Sequence, residues 1–323
     1  MSKVLLIGEP MVMFMAQAEG KLEDVRTFTR DIAGAEVNVG VGLRRLGHEV
    51  TYLTRLGADP LGRYIRDFLD DERIDTSHIL WDDEYPTGFQ LKQKALNPMV
   101  AYFRKRSAAS RFSAEDLKSV DFSQYDHLHI TGIFPALSPS TREVTFELIR
   151  QARRQGLSIT YDPNLRPTLW PDEETMVRTV NELASLCDYV LPGIHEGKIL
   201  TGFEQEEAIA DYYLTRGVKG VVIKLGPDGA YLETAKRETA YLPPFREDRK
   251  IDTVGAGDGF AAGVISALLE GLSLEQAVDR GNAIGTMQIM SPYDNKDLPD
   301  RPTLETFMET HRTEQPQRRV ASC

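Results

Sequence analysis

Short apolar segments alternate with longer segments of helical periodicity over most of the 323 residues. Apolar runs of this length are typical of strands that are buried on both faces. The βαβ alternation predicts an α/β fold in three layers, with a mostly parallel central sheet between helices. The predicted strands are residues 4–7, 50–54, 127–130, 158–161, 189–191 and 221–225, and the predicted helices are residues 36–46, 61–71, 141–155, 173–186 and 206–215.

Two stretches interrupt this alternation and predict a second, smaller layer. Residues 11–32 contain no convincing helix and end in a β-like run at 26–30, whereas residues 87–105 alternate like a hairpin with Asn97 and Pro98 at its turn. A two-stranded hairpin alone is only marginally stable, so we expect both stretches to pair into a small β-sheet lid. The expected division is a core of residues 1–10, 34–84 and 107–312, a lid of residues 11–33 and 85–106, and a flexible tail of residues 313–323.

Composition excludes several classes of protein. The 49 acidic residues outnumber the 38 Lys and Arg, giving a formal charge of -11. With no basic tract, neither nucleic acid nor an anionic membrane is expected as a partner. Cys187 and Cys323 cannot build a disulfide framework or a cysteine-rich metal site. No apolar run approaches the roughly 18 residues that span a bilayer, and the N-terminus does not read as a signal peptide. We therefore expect a cytoplasmic protein.

The segment most informative about chemistry is DTVGAGD at residues 252–258, which directly precedes an apolar helical segment at 259–269. A helix this apolar is buried, so its N-terminus lies deep in the protein. Unpaired N–H donors and the helix dipole attract anions to such an end. Asp258 beside an anion site is explained if it takes a proton from a hydroxyl that attacks a phosphoryl group. The alternative is a plain turn in which the aspartate caps the helix. The predicted anion hole consists of Gly255, Ala256 and Gly257.

Two separated signatures resemble those of the ribokinase-like (PfkB) carbohydrate kinases. DTVGAGD followed by AGVI at 262–265 is similar to the C-terminal signature. Gly34 and Asn38, followed by LRRLG at 43–47, are similar to the N-terminal signature, although Gly40 stands where the family usually has Ser, Thr or Ala. The resemblance covers about residues 3–302. It implies an ATP-dependent kinase of α/β/α architecture that uses Mg²⁺, with Asp258 as base, and it leaves a requirement for a monovalent cation such as K⁺ open.

The resemblance also implies which residues form the nucleotide-binding side of the active site. The turn GPDG at 226–229 is common in hairpins by itself, and the family places it beside ATP. Glu196 matches a position that holds water around Mg²⁺, although Gly193 stands where the family often has Asn. Because Mg²⁺ keeps its waters and takes few direct carboxylates, a single Glu is compatible with this role. Without the resemblance, Glu196 is a residue that complements a helix dipole. The implied nucleotide-binding residues are Asn164, Lys224, Gly226, Asp228, Gly229, Gly257 and Asn282.

Two arginines suggest an acidic sugar. Strand alternation places Tyr102 and Arg104 on one face of the lid, and Arg166 ends the run DPNLR, at the sheet edge where ligands bind. A guanidinium matches a carboxylate in geometry. The alternatives are a solvated Arg104 and a structural ion pair of Arg166. Together with GEP at 8–10 and LPGIHEGK at 191–198, this pattern resembles family members that phosphorylate 2-keto-3-deoxygluconate. The implied substrate-binding residues are Gly34, Asn38, Phe89, Tyr102, Arg104, Ile133, Arg166 and Asp294, with Phe89 standing where Tyr is common.

The expected reaction is therefore transfer of the γ-phosphoryl group of ATP to the terminal hydroxyl of this keto acid. Because DPN-x-R also occurs in bacterial fructokinases, a fructokinase or another neutral-sugar kinase remains open. A non-catalytic sugar-binding member remains open as well. We expect the sugar acid and ATP as small-molecule partners. The exposed edges of the lid favour pairing with another subunit, which predicts a dimer or a higher homo-oligomer.

Overall fold

The computed structural model describes residues 2–95, 98–247 and 250–312. The predicted tail at 313–323 and Asn97 of the predicted turn lie outside the described residues. In this part of the chain the strands are β1 (Lys3–Ile7), β2 (Met11–Ala16), β3 (Phe28–Ala33), β4 (Glu49–Gly57), β5 (Ile79–Asp82), β6 (Phe89–Lys92), β7 (Val100–Phe103), β8 (His127–Thr131), β9 (Ser158–Asp162), β10 (Tyr189–Val190), β11 (Gly220–Lys224), β12 (Ala230–Thr234) and β13 (Thr239–Leu242). The α-helices are α1 (Ala35–Arg45), α2 (Pro60–Asp71), α3 (Pro139–Arg154), α4 (Glu173–Ala184), α5 (Ile194–Thr201), α6 (Glu206–Leu214), α7 (Ala256–Leu269), α8 (Leu274–Gln288) and α9 (Arg301–Thr310).

The central sheet runs in the order β13-β12-β11-β10-β9-β8-β1-β4-β5. The strands from β11 to β5 pair in parallel, whereas β12 and β13 extend the sheet as an antiparallel edge. Every strand and helix predicted for the core is present, with small shifts at its ends. The predicted α/β fold with a mostly parallel sheet is confirmed.

Strand alternation builds two cores, one on each face of this sheet. Val4 and Leu6 of β1 pack with α1, α2, α7, α8 and α9, whereas Leu5 and Ile7 pack with α3, α4, α5 and α6. Because successive side chains of a strand point to opposite faces, a continuous apolar run supplies both cores at once. The sheet is thus covered by helices on both sides, as the three-layer prediction requires.

Helix α7 lies deep in the first core because small residues allow its neighbours to come close. A Cβ added at Gly263 would lie 2.9 Å from the backbone of Gly281 in α8, and one added at Gly42 in α1 would lie 2.8 Å from Ala262. Gly255, in the left-handed conformation at φ 80, is the N-cap of α7. The residues from Gly259 to Ala267 are all buried. The N-terminus of α7 therefore opens inside the molecule and not at its surface.

Four strands form a second sheet in the order β3-β2-β6-β7, which we call the lid. β2 pairs with β3 and β6 with β7 in antiparallel fashion, and β2 joins the two hairpins through a parallel pairing with β6. The predicted second layer is confirmed, although its β3 strand begins at Phe28 and continues to Ala33, beyond the predicted run at 26–30. The division of the chain into core and lid segments stays a prediction at its boundaries.

Among the described residues, none of the helices combines the length and the apolar character that crossing a bilayer requires.

Candidate active site

The lid, the carboxyl ends of the parallel strands and the N-terminus of α7 enclose a cavity of about 320 Å³. In α/β sheets of this kind, ligands bind beyond the carboxyl ends of the strands. The structure brings together most of the residues that the sequence predicted to bind ligands. The predicted residues that line the cavity are Gly34, Asn38, Tyr102, Arg104, Ile133, Asn164, Arg166, Glu196, Lys224, Gly255, Gly257, Asp258 and Asp294.

Several residues predicted for nucleotide binding lie away from this cavity. Gly226–Asp228 forms a 3-10 turn directly after β11, and Gly229 follows with φ 87. The side-chain amide of Asn282, on α8, donates to the carbonyl oxygens of Leu242 at 3.2 Å and Pro243 at 3.1 Å. Those bonds hold α8 to the end of β13. Ala256, from the predicted anion hole, is the first residue of α7 and does not line the cavity either. The ligand-binding roles of these residues stay predictions.

Phe89, which was predicted to bind the substrate, is not among the residues that line the cavity. Its ring stacks on that of Phe103, with centroids 4.6 Å apart, and meets the edge of the Phe14 ring. Strand β6 alternates, so Gln90 and Lys92 face the cavity while Phe89 faces the opposite side of the lid. Phe89 thus packs the lid, and its contact with a sugar stays a prediction.

Asp258 occupies the first turn of α7 and faces the cavity. Removal from bulk water raises its pKa to about 7, and the nearby charge of Asp162 acts in the same direction. A hydrogen bond from Asn38 and the positive charges of Arg166 and Lys224 oppose this rise. A carboxyl group with this pKa is well suited to accept a proton near neutral pH.

Two amide side chains orient this carboxylate. Asn38 Nδ2 donates to Asp258 Oδ2 at 2.8 Å, and Asn164 Nδ2 lies 3.5 Å from Oδ1. The amide of Asn38 is itself fixed, because Asn295 Nδ2 donates to its Oδ1 at 3.0 Å. Asn38 and Asn164, predicted to contact sugar and nucleotide respectively, therefore meet at the predicted base.

The two arginines that were predicted to bind the carboxylate of a sugar acid are held by different contacts. Arg104 is only 8% exposed, and its Nε donates to Glu9 Oε2 at 2.6 Å, so it is not a solvated surface charge. Ser107 also donates to Glu9 and completes a buried cluster at the base of the lid. Arg166 donates from Nη1 to the carbonyl oxygens of Leu165 at 2.9 Å and Asn164 at 3.4 Å. Within the described residues Arg166 has no carboxylate at ion-pairing distance, so the predicted alternative of a structural ion pair finds no support there.

Two further charged groups at the cavity depend on pairings that the sequence did not predict. Lys92 Nζ lies 2.7 Å from Asp252 Oδ2 and 3.0 Å from Asp294 Oδ1. Lys224 Nζ lies 2.6 Å from Asp162 Oδ2. Burial alone would lower the pKa of each lysine, but the adjacent carboxylates raise it above the usual value, so both remain charged. Strand alternation in β6 was the available signal for Lys92, whereas its acidic partners are distant in sequence.

Glu196 has the geometry of a helix-terminal carboxylate. Its Oε1 accepts the backbone N–H of Leu165 at 2.7 Å, and its Oε2 accepts that of Gly193 at 2.7 Å. Each carboxylate oxygen can accept a second hydrogen bond, and Glu196 lines the cavity. No group of three or more His, Cys, Asp or Glu side chains in the described ranges could hold a metal ion. The residues present therefore fit a Mg²⁺ ion that is bound through water and phosphate oxygens, not one caged by protein ligands.

The chain is similar to known carbohydrate kinases in sequence and in fold. The model of the pfkB family carbohydrate kinases matches residues 1–301, and the chain belongs to this family. The 2-dehydro-3-deoxygluconokinase of Bacillus subtilis (strain 168) is 48% identical over 309 residues, which are 95% of each protein. The crystal structure of a PfkB protein from Polaromonas sp. JS666 is 42% identical, with a TM-score of 0.87 over 94% of this chain and 99% of that one.

A more distant solved relative is a fructokinase double mutant from Vibrio cholerae O395 in its fructose-, ADP- and potassium-bound form. It is 26% identical, with a TM-score of 0.84 over 95% of this chain and 98% of that one. These similarities confirm the family and the ribokinase-like fold that the two signatures predicted.

The environment of Asp258 makes a prediction about its titration. We expect a ¹³C NMR titration of the Asp258 carboxyl group to show a midpoint at about pH 7. Asn38→Ala removes the hydrogen bond that favours the charged form, so the pKa of Asp258 should rise further. Asn164→Ala, which removes a contact of 3.5 Å, is the matched control and should raise the pKa less. A lower pKa in Asn38→Ala would contradict this description of the site.

Proposed function

We propose that this chain transfers the γ-phosphoryl group of ATP to the terminal hydroxyl of 2-keto-3-deoxygluconate, giving 2-keto-3-deoxy-6-phosphogluconate and ADP. The observation that carries the proposal is the position of Asp258, a carboxyl with a pKa of about 7 at the N-terminus of a buried helix, in the same cavity as Arg166. The 48% identity to a protein named 2-dehydro-3-deoxygluconokinase supports the choice of substrate.

In the proposed reaction Asp258 accepts the proton of the sugar hydroxyl. The freed oxygen forms a bond to the γ-phosphorus, while the bond from that phosphorus to the bridging oxygen of ATP breaks and ADP leaves. Asn38 holds the carboxylate at 2.8 Å and keeps it directed into the cavity. Positioning and electrostatic stabilisation carry most of the rate enhancement in phosphoryl transfer, so this fixed orientation is the main contribution of the residue.

The N-terminus of α7 provides the site for the migrating phosphoryl group. The first N–H groups of a helix have no partner within the helix, and those of Gly257 and Asp258 belong to this class. The positive end of the helix dipole adds a fixed favourable field. Gly257 also leaves open space, since a Cβ there would approach Lys224 Nζ to 3.6 Å. An anion bound there would contact both the backbone donors and this lysine.

The carboxylate of the sugar acid is assigned to Arg166, with Arg104 nearby. Arg166 has no carboxylate at ion-pairing distance within the described residues, although its charge acts on Asp258, so its guanidinium can also bind a ligand. Arg104 uses part of its guanidinium on Glu9, and the residue also lines the cavity. Asp294 is proposed to accept hydrogen bonds from sugar hydroxyls, as the family resemblance implies.

The nucleotide and its ions belong to the same proposal. We assign ATP to the side of the cavity formed by Lys224, Asn164 and the turn after β11. A Mg²⁺ ion would be held by Glu196 through water, and it would neutralise charge on the β- and γ-phosphates when bound. A monovalent cation is compatible with the proposal, because a fructokinase relative is described with potassium bound.

A neutral-sugar kinase is the second candidate for this site. It is favoured by the fold, which the fructokinase of Vibrio cholerae O395 shares at 26% identity. Arg166 argues for an acid, because a guanidinium with no carboxylate at ion-pairing distance is poorly matched to uncharged hydroxyls. A non-catalytic sugar-binding protein is disfavoured, since the base and the helix N-terminus are both in place.

We expect Asp258→Asn to lower kcat by about 10²–10⁴-fold, the usual loss on removing a general base. The amide has nearly the same shape, so the KM for the sugar acid should change little. Steady-state kinetics of ADP release measure both constants. Asp67→Asn, the same change at an exposed position on α2, is the control and should leave them unaltered. An undiminished kcat in Asp258→Asn would remove the residue from the mechanism.

The choice of substrate is tested by offering 2-keto-3-deoxygluconate and fructose side by side. The proposed function predicts a higher kcat/KM for the keto acid. Arg166→Ala should raise the KM for the acid by about 10-fold or more, as expected on losing a charge-assisted hydrogen bond, and should leave fructose turnover nearly unchanged. Better turnover of fructose by the wild-type enzyme would favour the neutral-sugar alternative.

We also propose that the lid pairs with a second copy of the chain. Strand β7 is at the edge of the lid sheet, and Phe103 and Met99 beside it are 50% and 54% exposed. An edge strand with exposed apolar side chains is a natural pairing surface. Light scattering should therefore give the mass of a dimer or a larger oligomer, and Met99→Glu should shift it towards the monomer. A wild-type monomer would contradict this proposal.

A further inference from the structure

Lys92 joins the lid to two acidic residues of the core. It lies at the end of β6 and is 4% exposed, and its Nζ contacts Asp252 at 2.7 Å and Asp294 at 3.0 Å. Neither acid belongs to the lid. Asp252 is the first residue of the DTVGAGD turn, and Asp294 lies in the segment between α8 and α9. One ammonium group therefore connects three separate parts of the chain.

Asp252 transmits this contact to the turn that precedes α7. While its Oδ2 meets Lys92, its Oδ1 accepts the backbone N–H of Val254 at 3.0 Å. The backbone N–H of Asp252 donates to the carbonyl of Ile289 at 3.3 Å, near the end of α8. The carboxylate thus fixes the turn directly before Gly255.

Asp294 reaches the same place through its backbone. A Cβ added at Gly255 would lie 2.9 Å from the carbonyl oxygen of Asp294, so this backbone packs directly on the N-cap of α7. Gly255 has φ 80, a conformation that other residues adopt only at a cost. Both acidic partners of Lys92 therefore abut the residue that sets where α7 begins.

The charges make this arrangement dependent on a closed lid. Asp252 and Asp294 are both buried, and two neighbouring carboxylates repel each other unless a cation lies between them. If β6 moved away, the ammonium group of Lys92 would leave with it, and both carboxylates would lose their cation. Removing one member of a buried charge cluster is strongly unfavourable, because the remaining charges stay buried and uncompensated. The cluster is satisfied with the lid closed and unsatisfied with the lid open.

We propose that Lys92 is a positioning residue, which latches the lid over the cavity and sets the 252–258 turn from which Asp258 and the anion site project. The inference rests on the proposed phosphoryl transfer, and it assigns to Lys92 no contact with the reacting atoms. It predicts that lid closure and assembly of the anion site are one event, because the same side chain serves both.

The test combines hydrogen exchange of the ligand-free protein with steady-state kinetics. In Lys92→Met, which keeps the length and removes the charge, amides of residues 89–92 and 100–103 should exchange roughly 10-fold faster or more, since local opening becomes easier. Amides of β1 and β8 in the core should keep their protection. The misplaced turn should lower kcat by about 10²-fold.

Two controls separate a latch from a general loss of stability. Lys94→Met makes the same change at an exposed position just beyond β6, and it should behave like the wild type in both measurements. Lys92→Arg retains a cation at the same place and should restore slow exchange and most of kcat. If Lys92→Met yields too little folded protein, Lys92→Met with Asp252→Asn is measured in its place. That double variant removes the repulsion between the two carboxylates but does not restore the contact between the lid and the core. If Lys92 is a latch, exchange should therefore be fast in the lid alone.

Two results would overturn the inference. One is a Lys92→Met protein whose lid exchange and kcat equal those of the wild type. The other is a double variant whose lid exchange and kcat both return to wild-type values. That result would mean that Lys92 only neutralises the two carboxylates. The hydrogen-exchange result does not depend on the substrate. A wild-type enzyme that ignores the keto acid would defeat the proposed function and leave the lid measurement standing.

Discussion

The N-terminus of α7 is the constraint on which the rest of the structure depends. A helix end with unpaired N–H groups is normally satisfied by solvent or by a cap, yet here it opens into the interior. This is possible because Gly42, Gly263 and Gly281 let α1, α7 and α8 approach so closely that the apolar body of α7 is buried. The cavity in front of it then favours an anion, and the lid closes over the space in which that anion would lie.

Charge pairing decides what the cavity can bind. Arg104 with Glu9, Lys224 with Asp162, and Lys92 with Asp252 and Asp294 are satisfied within the protein. Arg166 has no carboxylate at ion-pairing distance in the described residues, and the pKa of Asp258 is raised to about 7. Arg166 thus offers a cation to an acid group, and Asp258 offers a base to a hydroxyl. That combination is the physical basis for preferring a sugar acid over a neutral sugar.

The fold could be read from the sequence wherever a pattern is local. Periodicity along β1 or α3, and the small residues before α7, need no knowledge of distant neighbours. The strands β5 and β13 and the helix α9 were not predicted, because they are short and partly exposed, so that their patterns are weak. The largely buried strand β12 was not predicted either.

The site, like the fold, could be predicted from the sequence only where its residues lie close together along the chain. Asp258 was found because the chemistry of a helix N-terminus lies within a few residues. The pairing of Arg104 with Glu9 spans 95 residues, and that of Lys92 with Asp294 spans 202, so neither can be inferred from spacing. The stacking of Phe89 on Phe103 could not be inferred either, because it depends on the pairing with β7, which sets Phe89 opposite Phe103 and Gln90 opposite Tyr102.

A crystal structure of the enzyme with 2-keto-3-deoxygluconate and a non-hydrolysable ATP analogue tests the central claim most directly. The claim predicts that the Asp258 carboxylate lies within hydrogen-bonding reach of the terminal hydroxyl, about 2.6–3.2 Å. It further predicts that this hydroxyl faces the γ-phosphorus at the N-terminus of α7. A complex in which Asp258 faces away from both the sugar and the nucleotide would contradict it.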